Sequence, residues 1–167
     1  MATNGGASWF RRLFSRSATK ALDPTRGDLV IVVSSFDDAE ACSAALERGA
    51  NETGFESGDE VVFRHHLLLP SDMVADAVAV AAQDGYEMVD EPVPAPGIPP
   101  TSPAPGVSPT SNAFVVADGV EVTLRRVQVL DALHCSQERS RMAGLAQRRG
   151  GVVSGWDALQ PGPQIAD

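Results

Sequence analysis

The sequence predicts an α+β fold in which an antiparallel sheet carries helices on one face. Residues 61–90 read as strand, helix and strand, and residues 113–160 read as hairpin, helix and strand. Residues 28–48 add a leading strand and helix. Hydrophobic residues make up 43% of the 167 residues and aromatic residues only 5%, so we expect one domain with an aliphatic core.

The stretch of residues 61–90 is the best-defined unit. Val61–Leu69 is rich in β-branched and aromatic side chains, which suit a strand, and Pro70 cannot continue a ladder. Ser71 then stands where a helix N-cap belongs. An apolar stripe with helical spacing follows, formed by Val74, Ala77, Val78 and Ala81. Gly85 suits the helix end, and a second strand is predicted from Tyr86.

The leading unit precedes this stretch. Asp28–Val33 predicts a buried strand, and Asp37 is expected to cap the helix that follows it. Glu40 stands three residues after Asp37, as a capping box requires. We expect this helix to end near Arg48 and a polar, acidic loop to cover residues 51–60.

Proline dominates the next part of the chain. Eight of the twelve prolines lie in residues 92–112, mixed with Ser, Thr, Ala and Gly. Such a segment is typical of an extended, partly polyproline loop. Because a strand resumes at residues 113–117 and Asp118-Gly119 predicts a hairpin turn, we interpret the segment as an insertion into one domain.

One helix and one strand complete the predicted domain. Asp131 is a candidate N-cap for a helix from Ala132 to about Arg148, and residues 152–159 predict the last strand. The last six elements follow the βαββαβ order of a ferredoxin-like sandwich, preceded by the extra βα unit. The predicted organisation is an N-terminal segment of residues 1–26, a domain of residues 27–160 and a tail of residues 161–167.

Charge is unevenly distributed along the chain. Residues 27–118 carry sixteen acidic and two basic side chains, a net charge of −14, whereas the whole chain carries −9. An acidic body argues against direct nucleic-acid binding, which needs Lys and Arg at the phosphates, and favours a basic protein partner. The chain also lacks a run of roughly twenty apolar residues and the pattern of a secretory signal. We therefore expect a cytoplasmic protein.

The amino end has a different character. Residues 9–20 place aromatic and aliphatic side chains on one face of a short helix and basic side chains around the other. This pattern is typical of contact with an anionic membrane surface or a partner, although a frayed basic tail also accounts for it. The candidate anchor residues are Trp9, Phe10, Arg11, Arg12, Leu13 and Phe14.

Candidate chemistry is sparse. His65 and His66 are neighbours in a predicted strand, so their side chains should point to opposite faces and cannot easily share a metal ion. Cys42 and Cys135 fall in predicted helices, and their spacing suggests buried thiols and not a disulfide framework. His134 projects about 100° around its helix from Cys135. We expect no metal, no cofactor and no catalytic activity.

Four short motifs resemble one family. Arg64-His65-His66-Leu67 followed by a helix, and Gly85-Tyr86-Glu87 running into a strand, resemble the regulator of ribonuclease activity B, the ribonuclease E inhibitor family. A strand and helix leading to a Gly-Val-Val strand that ends in Gly155-Trp156 agree with it. The likeness covers roughly residues 61–95 and 113–160. The leading βα unit and the proline-rich segment depart from the family pattern.

The resemblance implies a ferredoxin-like protein without catalytic activity that binds ribonuclease E and restrains its cleavage of RNA. An acidic surface would suit the arginine-rich arms of such a nuclease. The expected contact residues are Asp59, Glu60, Asp84, Glu87, Asp90 and Glu91. The alternative is a membrane-surface adaptor anchored through residues 9–20, with residues 92–112 as a polyproline ligand.

Overall fold

Five strands and three α-helices form the part of the chain that the computed structural model describes, which comprises residues 21–89, 116 and 118–162. The strands are β1 (Leu29–Ser35), β2 (Glu60–Pro70), β3 (Glu87–Val89), β4 (Gly119–Val129) and β5 (Val152–Pro161). The helices are α1 (Cys42–Glu52), α2 (Val74–Gln83) and α3 (Ala132–Gln147), and a 3-10 turn, Ser71–Met73, precedes α2.

The strands form one sheet in the order β1-β5-β2-β4-β3. Every neighbouring pair is antiparallel, and β2 lies at the centre between β4 and β5. The predicted α+β class is confirmed. The leading unit extends the sheet, because β1 pairs with β5 at one edge.

All three helices pack on the same face of the sheet. Val61 and Phe63 of β2 join α1 and α3 in one buried cluster, whereas Leu67 and Leu69 join α2 and α3 in a second. Because side chains alternate along a strand, the even-numbered residues of β2 point to the opposite face. The core therefore lies between the helices and one side of the sheet, and the other side is called the open face below.

The predicted capping box of the leading helix is wrong. Helix α1 begins at Cys42, and its N-cap residue, Ala41, makes no side-chain cap. Asp37 instead stabilises the turn before the helix, where its carboxylate accepts from the Ala39 N–H at 2.8 Å. The Glu40 carboxylate pairs with Arg48 at 2.9 Å. Arg48 offers a stronger, charged donor than an amide at the helix start.

The start of α2 also differs from the prediction. Ser71 was expected to cap the helix, but it opens the 3-10 turn, and neither this turn nor α2 has a side-chain cap. The predicted helix end is confirmed, since Gly85 has a φ of 79°, a conformation that glycine adopts without a steric penalty. The predicted cap of α3 is likewise confirmed, since the Asp131 carboxylate accepts from the His134 N–H.

Several predicted features lie outside the described residues. They are the N-terminal helix of residues 9–20, the proline-rich segment, most of the first arm of the predicted hairpin and the end of the tail. The turn into β4 is described: Gly119 N–H donates to the Val116 carbonyl at 3.2 Å, and Asp118 has a φ of 52°. Within the described residues, no helix has the length and apolarity that crossing a membrane requires.

Candidate functional site

Negative charge is concentrated where α1 ends, along the loop that follows it and at the start of β2. Glu52, Glu56 and Asp59 are exposed, and Glu60 is half-buried. The sequence contains no Lys or Arg between Arg48 and Arg64. Among the described residues, the carboxylates of Glu52, Glu56 and Asp59 form no ion pair. Residues 52–60 are called the acidic loop below.

The acidic loop is held firmly against the sheet. Phe55 inserts its ring into the core and is 5% exposed. The side chain of Gln160 in β5 bonds both backbone groups of Glu56, accepting from its N–H and donating to its carbonyl, each at 3.0 Å. Gln160 is itself buried. These anchors at Phe55 and Glu56 fix the middle of the acidic loop in position.

Glu60 has a more restricted position than its neighbours. Its carboxylate accepts from the Leu22 N–H at 2.7 Å, which fastens the segment before β1 to the start of β2. The carbonyl of Pro24 in the same segment accepts from Arg125 of β4 at 3.5 Å. The segment therefore lies against the open face, and Glu60 contributes to holding it there.

The other predicted contact residues are neutralised or lie outside the described residues. Asp84 pairs with Arg141 of α3 at 2.8 Å, and Glu87 lies 3.5 Å from Arg125. Both acidic residues belong to the α2–β3 connection and β3, at the sheet edge away from β1. Asp90 and Glu91 are outside the described residues. The structure thus brings Asp59 and Glu60 together but places Asp84 and Glu87 elsewhere, beside arginines.

The predicted contact set does not include Glu52 and Glu56, although both are exposed and form no ion pair with the described residues. Both occur in the same run, NETGFESGDE, that contains Asp59 and Glu60. The signal that could have found them is the absence of a basic residue from Arg48 to Arg64, since charges without a nearby counterion are the ones available to a partner.

Three of the motif residues behind the family resemblance, His65, Tyr86 and Trp156, are buried in the core. His65 and Trp156 are directly paired across β2 and β5, and both are buried. The His65 ring lies 4.4 Å from the Phe63 ring and 5.8 Å from the Tyr86 ring, and the Phe63 ring lies 5.5 Å from the Trp156 ring. Burial lowers the pKa of His65 to about 3, so the ring is neutral at pH 7. These residues are placed to shape the core and not to contact a partner.

His66 points to the opposite side of the sheet from His65, as strand alternation predicts. Its Nε2 lies 2.8 Å from Asp157 Oδ2, and its Nδ1 lies 3.1 Å from Thr123 Oγ1. Arg64 donates two hydrogen bonds to the same Asp157 carboxylate, at 2.6 and 2.8 Å. Gly155 lies beside this network, beneath the exposed ring of Phe36, which is 5.5 Å from the His66 ring.

The Asp157 carboxylate on the open face is bonded by side chains of the same chain. Asp157 is 1% exposed and Arg64 5% exposed, and the carboxylate receives donors from both Arg64 and His66. A buried carboxylate with partners of this kind is typical of a structural ion pair. Within the described residues there is no group of three or more His, Cys, Asp and Glu side chains that could hold a metal ion.

The candidate anchor residues of the amino end, Trp9, Phe10, Arg11, Arg12, Leu13 and Phe14, lie outside the described residues. Of the contact residues predicted from the sequence, Asp59 is the described one that is exposed and forms no ion pair with the described residues. No family model, curated protein or solved structure matches this chain.

Proposed function

We propose that this chain is a non-catalytic regulator that binds an endoribonuclease of the ribonuclease E type and inhibits its cleavage of RNA. The acidic loop is the contact surface in this proposal, and a basic, arginine-rich segment of the nuclease is its partner. Occupation of that segment would remove cations that otherwise hold the RNA backbone.

The arrangement of residues 60–161 supports the family resemblance behind this proposal. Without β1, the strand order is β5-β2-β4-β3, with α2 after the first strand of this part and α3 after the third. We infer that this part is a ferredoxin-like sandwich, because that fold places two βαβ units in one antiparallel sheet with both helices on one side. The motif residue His65 lies between the two buried clusters, because it is paired with Trp156 of the first and its ring lies 5.8 Å from that of Tyr86 in the second.

The observation that carries the proposed mechanism is the contrast between two sets of carboxylates. Asp84 and Glu87 are paired with arginines of the same chain, whereas Glu52, Glu56 and Asp59 are exposed and form no ion pair with the described residues. Unpaired charges on a fixed loop can steer a cationic segment and then pair with it. The proposed contact therefore moves from the predicted set to the acidic loop, and Asp59 and Glu60 belong to both.

The test is inhibition of RNA cleavage by purified ribonuclease E in the presence of the full chain. The first variant replaces three loop carboxylates, Glu52→Gln, Glu56→Gln and Asp59→Asn. We expect its inhibition constant to rise by about tenfold or more, because three cross-interface charge pairs are lost. The wild-type inhibition constant should also rise with salt, as screening weakens exposed charge pairs.

A matched variant removes the same charge from the other end of β2. Asp72, Asp118 and Glu121 are exposed, and neutralising them as Asp72→Asn, Asp118→Asn and Glu121→Gln gives the same change in net charge. This variant should keep its inhibition constant within about threefold of the wild type, apart from the general effect of net charge. Equal losses in both variants would argue against the acidic loop, and a wild-type chain that leaves cleavage unchanged would overturn the proposal itself.

A further inference from the structure

The two cysteines of the chain touch each other. Cys42 in α1 and Cys135 in α3 are 93 positions apart, yet the Cys135 Sγ donates to the Cys42 Sγ at 2.7 Å. Both are free thiols. A disulfide bond requires sulfur atoms about 2.05 Å apart, so the two atoms need to approach by roughly 0.7 Å. Packing of α1 against α3 has therefore already placed them for bond formation.

Two features of the fold stand beside the Cys42 thiol. Cys42 is the first residue of α1, so it lies at the helix end that carries free N–H groups. The Arg139 guanidinium lies 3.7 Å from Cys42 Sγ through Nη1. Arg139 is oriented by two backbone carbonyls, those of Glu40 at 2.7 Å and Asp38 at 3.3 Å. A positioned cation beside a thiol is the arrangement that makes cysteines reactive toward oxidants.

The two thiols differ in access. Cys42 is 7% exposed, whereas Cys135 is fully buried. Arg139 also lines a surface cavity of about 300 Å3, together with Ser136, Asp38 and Trp156, so small molecules can approach the guanidinium that contacts Cys42. Burial and the contact with Cys42 raise the pKa of the Cys135 thiol. An oxidant should therefore react first with Cys42.

We propose that Cys42 and Cys135 form a reversible oxidation site that converts a hydroperoxide signal into a disulfide between α1 and α3. The Cys42 thiolate attacks one oxygen of the hydroperoxide, the O–O bond breaks, and the other oxygen leaves as an alcohol or, with hydrogen peroxide, as water. The Cys135 sulfur then displaces the hydroxyl from the Cys42 sulfenic acid and loses its proton. Two thiols and one hydroperoxide yield one disulfide, one alcohol and one water, and a dithiol reductant reverses the step.

The bond would fasten the leading unit to the rest of the domain. Helix α1 follows β1 at the sheet edge, whereas α3 packs on β2 and β5 in the sheet interior. A covalent link between positions 93 apart restricts the unfolded chain strongly. Oxidation should therefore raise the thermal unfolding midpoint by about 5–10 °C, on the scale expected for a chain of this size.

The test treats the reduced full chain with hydrogen peroxide and follows its thiols, mass and thermal unfolding. We expect both titratable thiols to disappear, the intact mass to fall by two hydrogen atoms, and a non-reduced digest to contain one peptide pair joining Cys42 to Cys135. The unfolding midpoint should rise and should return to its original value after dithiothreitol.

Two single variants separate the roles of the cysteines. In Cys135→Ser, Cys42 should stop at the sulfenic acid and be labelled by a sulfenic-acid probe, whereas in Cys42→Ser the buried Cys135 should be labelled at least tenfold more slowly. Arg139→Gln should slow oxidation of Cys42 several-fold while the two thiols remain able to join. Two intact thiols after peroxide treatment, a sulfinic acid in place of the linked peptides, or a disulfide between two chains would overturn the proposal.

Discussion

Arg64 and Asp157 form a two-point ion pair across β2 and β5, with donor–acceptor distances of 2.6 and 2.8 Å. The pair lies on the open face, yet both side chains are buried. His66 adds a third contact to the same carboxylate. A pair that is withdrawn from water in this way depends on both partners, because either charge alone would be left without solvation.

Asp157→Asn should therefore lower the free energy of unfolding by roughly 3–5 kcal/mol, since the buried Arg64 guanidinium loses its counterion. Urea denaturation measures this change. Asp28→Asn is the control, because it breaks the exposed Arg26–Asp28 pair and should leave stability unchanged within error. The double variant Arg64→Met with Asp157→Leu should regain part of the lost stability. Equal stability of Asp157→Asn and Asp28→Asn would contradict the burial argument.

His65 should make the fold sensitive to acid. Burial lowers its pKa to about 3 in the folded protein, while the unfolded chain should titrate near the ordinary value of about 6.5. Between these two values the unfolded state binds the proton and the folded state does not, so stability is lost as the pH falls. From pH 6.5 to pH 5 the loss should be roughly 2 kcal/mol.

Denaturation at several pH values separates this contribution from that of the carboxylates. His65→Leu should flatten the dependence between pH 6.5 and pH 5 relative to the wild type, whatever its effect on stability at neutral pH. His134→Gln, which removes an exposed histidine, is the comparison variant. Parallel curves for His65→Leu and the wild type would show that His65 is not the group responsible.

Tyr86 offers a direct spectroscopic measurement, because it is the only tyrosine of the chain. Burial and its hydrogen bond to the Glu138 carboxylate, at 2.7 Å, raise the pKa of Tyr86 far above the ordinary value of about 10. Arg126, whose guanidinium lies 4.8 Å from the ring centroid, opposes this shift only in part. Tyrosinate absorbance should therefore appear only when the protein unfolds at high pH. A smooth titration centred near pH 10 in the folded protein would contradict this environment.

The same site predicts the effect of removing the phenol hydroxyl. Tyr86→Phe leaves one oxygen of the buried Glu138 carboxylate without this donor, so the free energy of unfolding should fall by about 1–3 kcal/mol. Because Arg126 still pairs with the other oxygen at 3.1 Å, the loss should stay below that of a fully orphaned carboxylate. Arg126→Met with Tyr86 retained provides the comparison, and both variants are measured by urea denaturation.

Gly49 should tolerate no side chain, although it lies within a helix. A Cβ at this position would stand 2.8 Å from the Val32 carbonyl oxygen and 2.9 Å from Val33 Cβ, so α1 would have to move away from β1. Gly49→Ala should therefore destabilise the protein by about 1–3 kcal/mol, against the gain of up to about 1 kcal/mol that alanine brings to a helix interior. Gly27→Ala, where a Cβ meets nothing within 4 Å, should be neutral in the same thermal unfolding assay.

The sequence pattern predicted the elements well where local chemistry decides them. The runs of β-branched residues in β2 and the Asp131 cap of α3 appear in the structure as expected. The start of α1 was predicted too early. The Asp37 carboxylate accepts a hydrogen bond within the preceding turn, and the Glu40 carboxylate pairs with Arg48, so neither caps the helix. A local capping pattern cannot show whether a stronger partner stands elsewhere in the fold.

The candidate site was only partly predictable for the same reason. Asp59 is an exposed acidic residue in a loop, and the polar, acidic residues beside it in the sequence predict that position. Asp84 looks equivalent in the sequence, but Arg141, 57 positions later, neutralises it. The contact between Cys42 and Cys135 has no sequence signal either, since it depends on the packing of two helices that are far apart in the chain.

The pairing of β1 with β5 orders the events of biosynthesis. Leu29 of β1 stands opposite Pro161 of β5. Because β5 is synthesised after every other described element, β1 can form its hydrogen bonds only when β5 has left the ribosome. Until then β1 lacks its strand partner, and the apolar residues of α1 lack Trp156 and Ala158 of β5, which complete their cluster. Such non-local pairing slows folding and exposes an unpaired strand to other chains. Among the described elements, the leading unit of β1 and α1 should therefore have the greatest need of chaperones during synthesis.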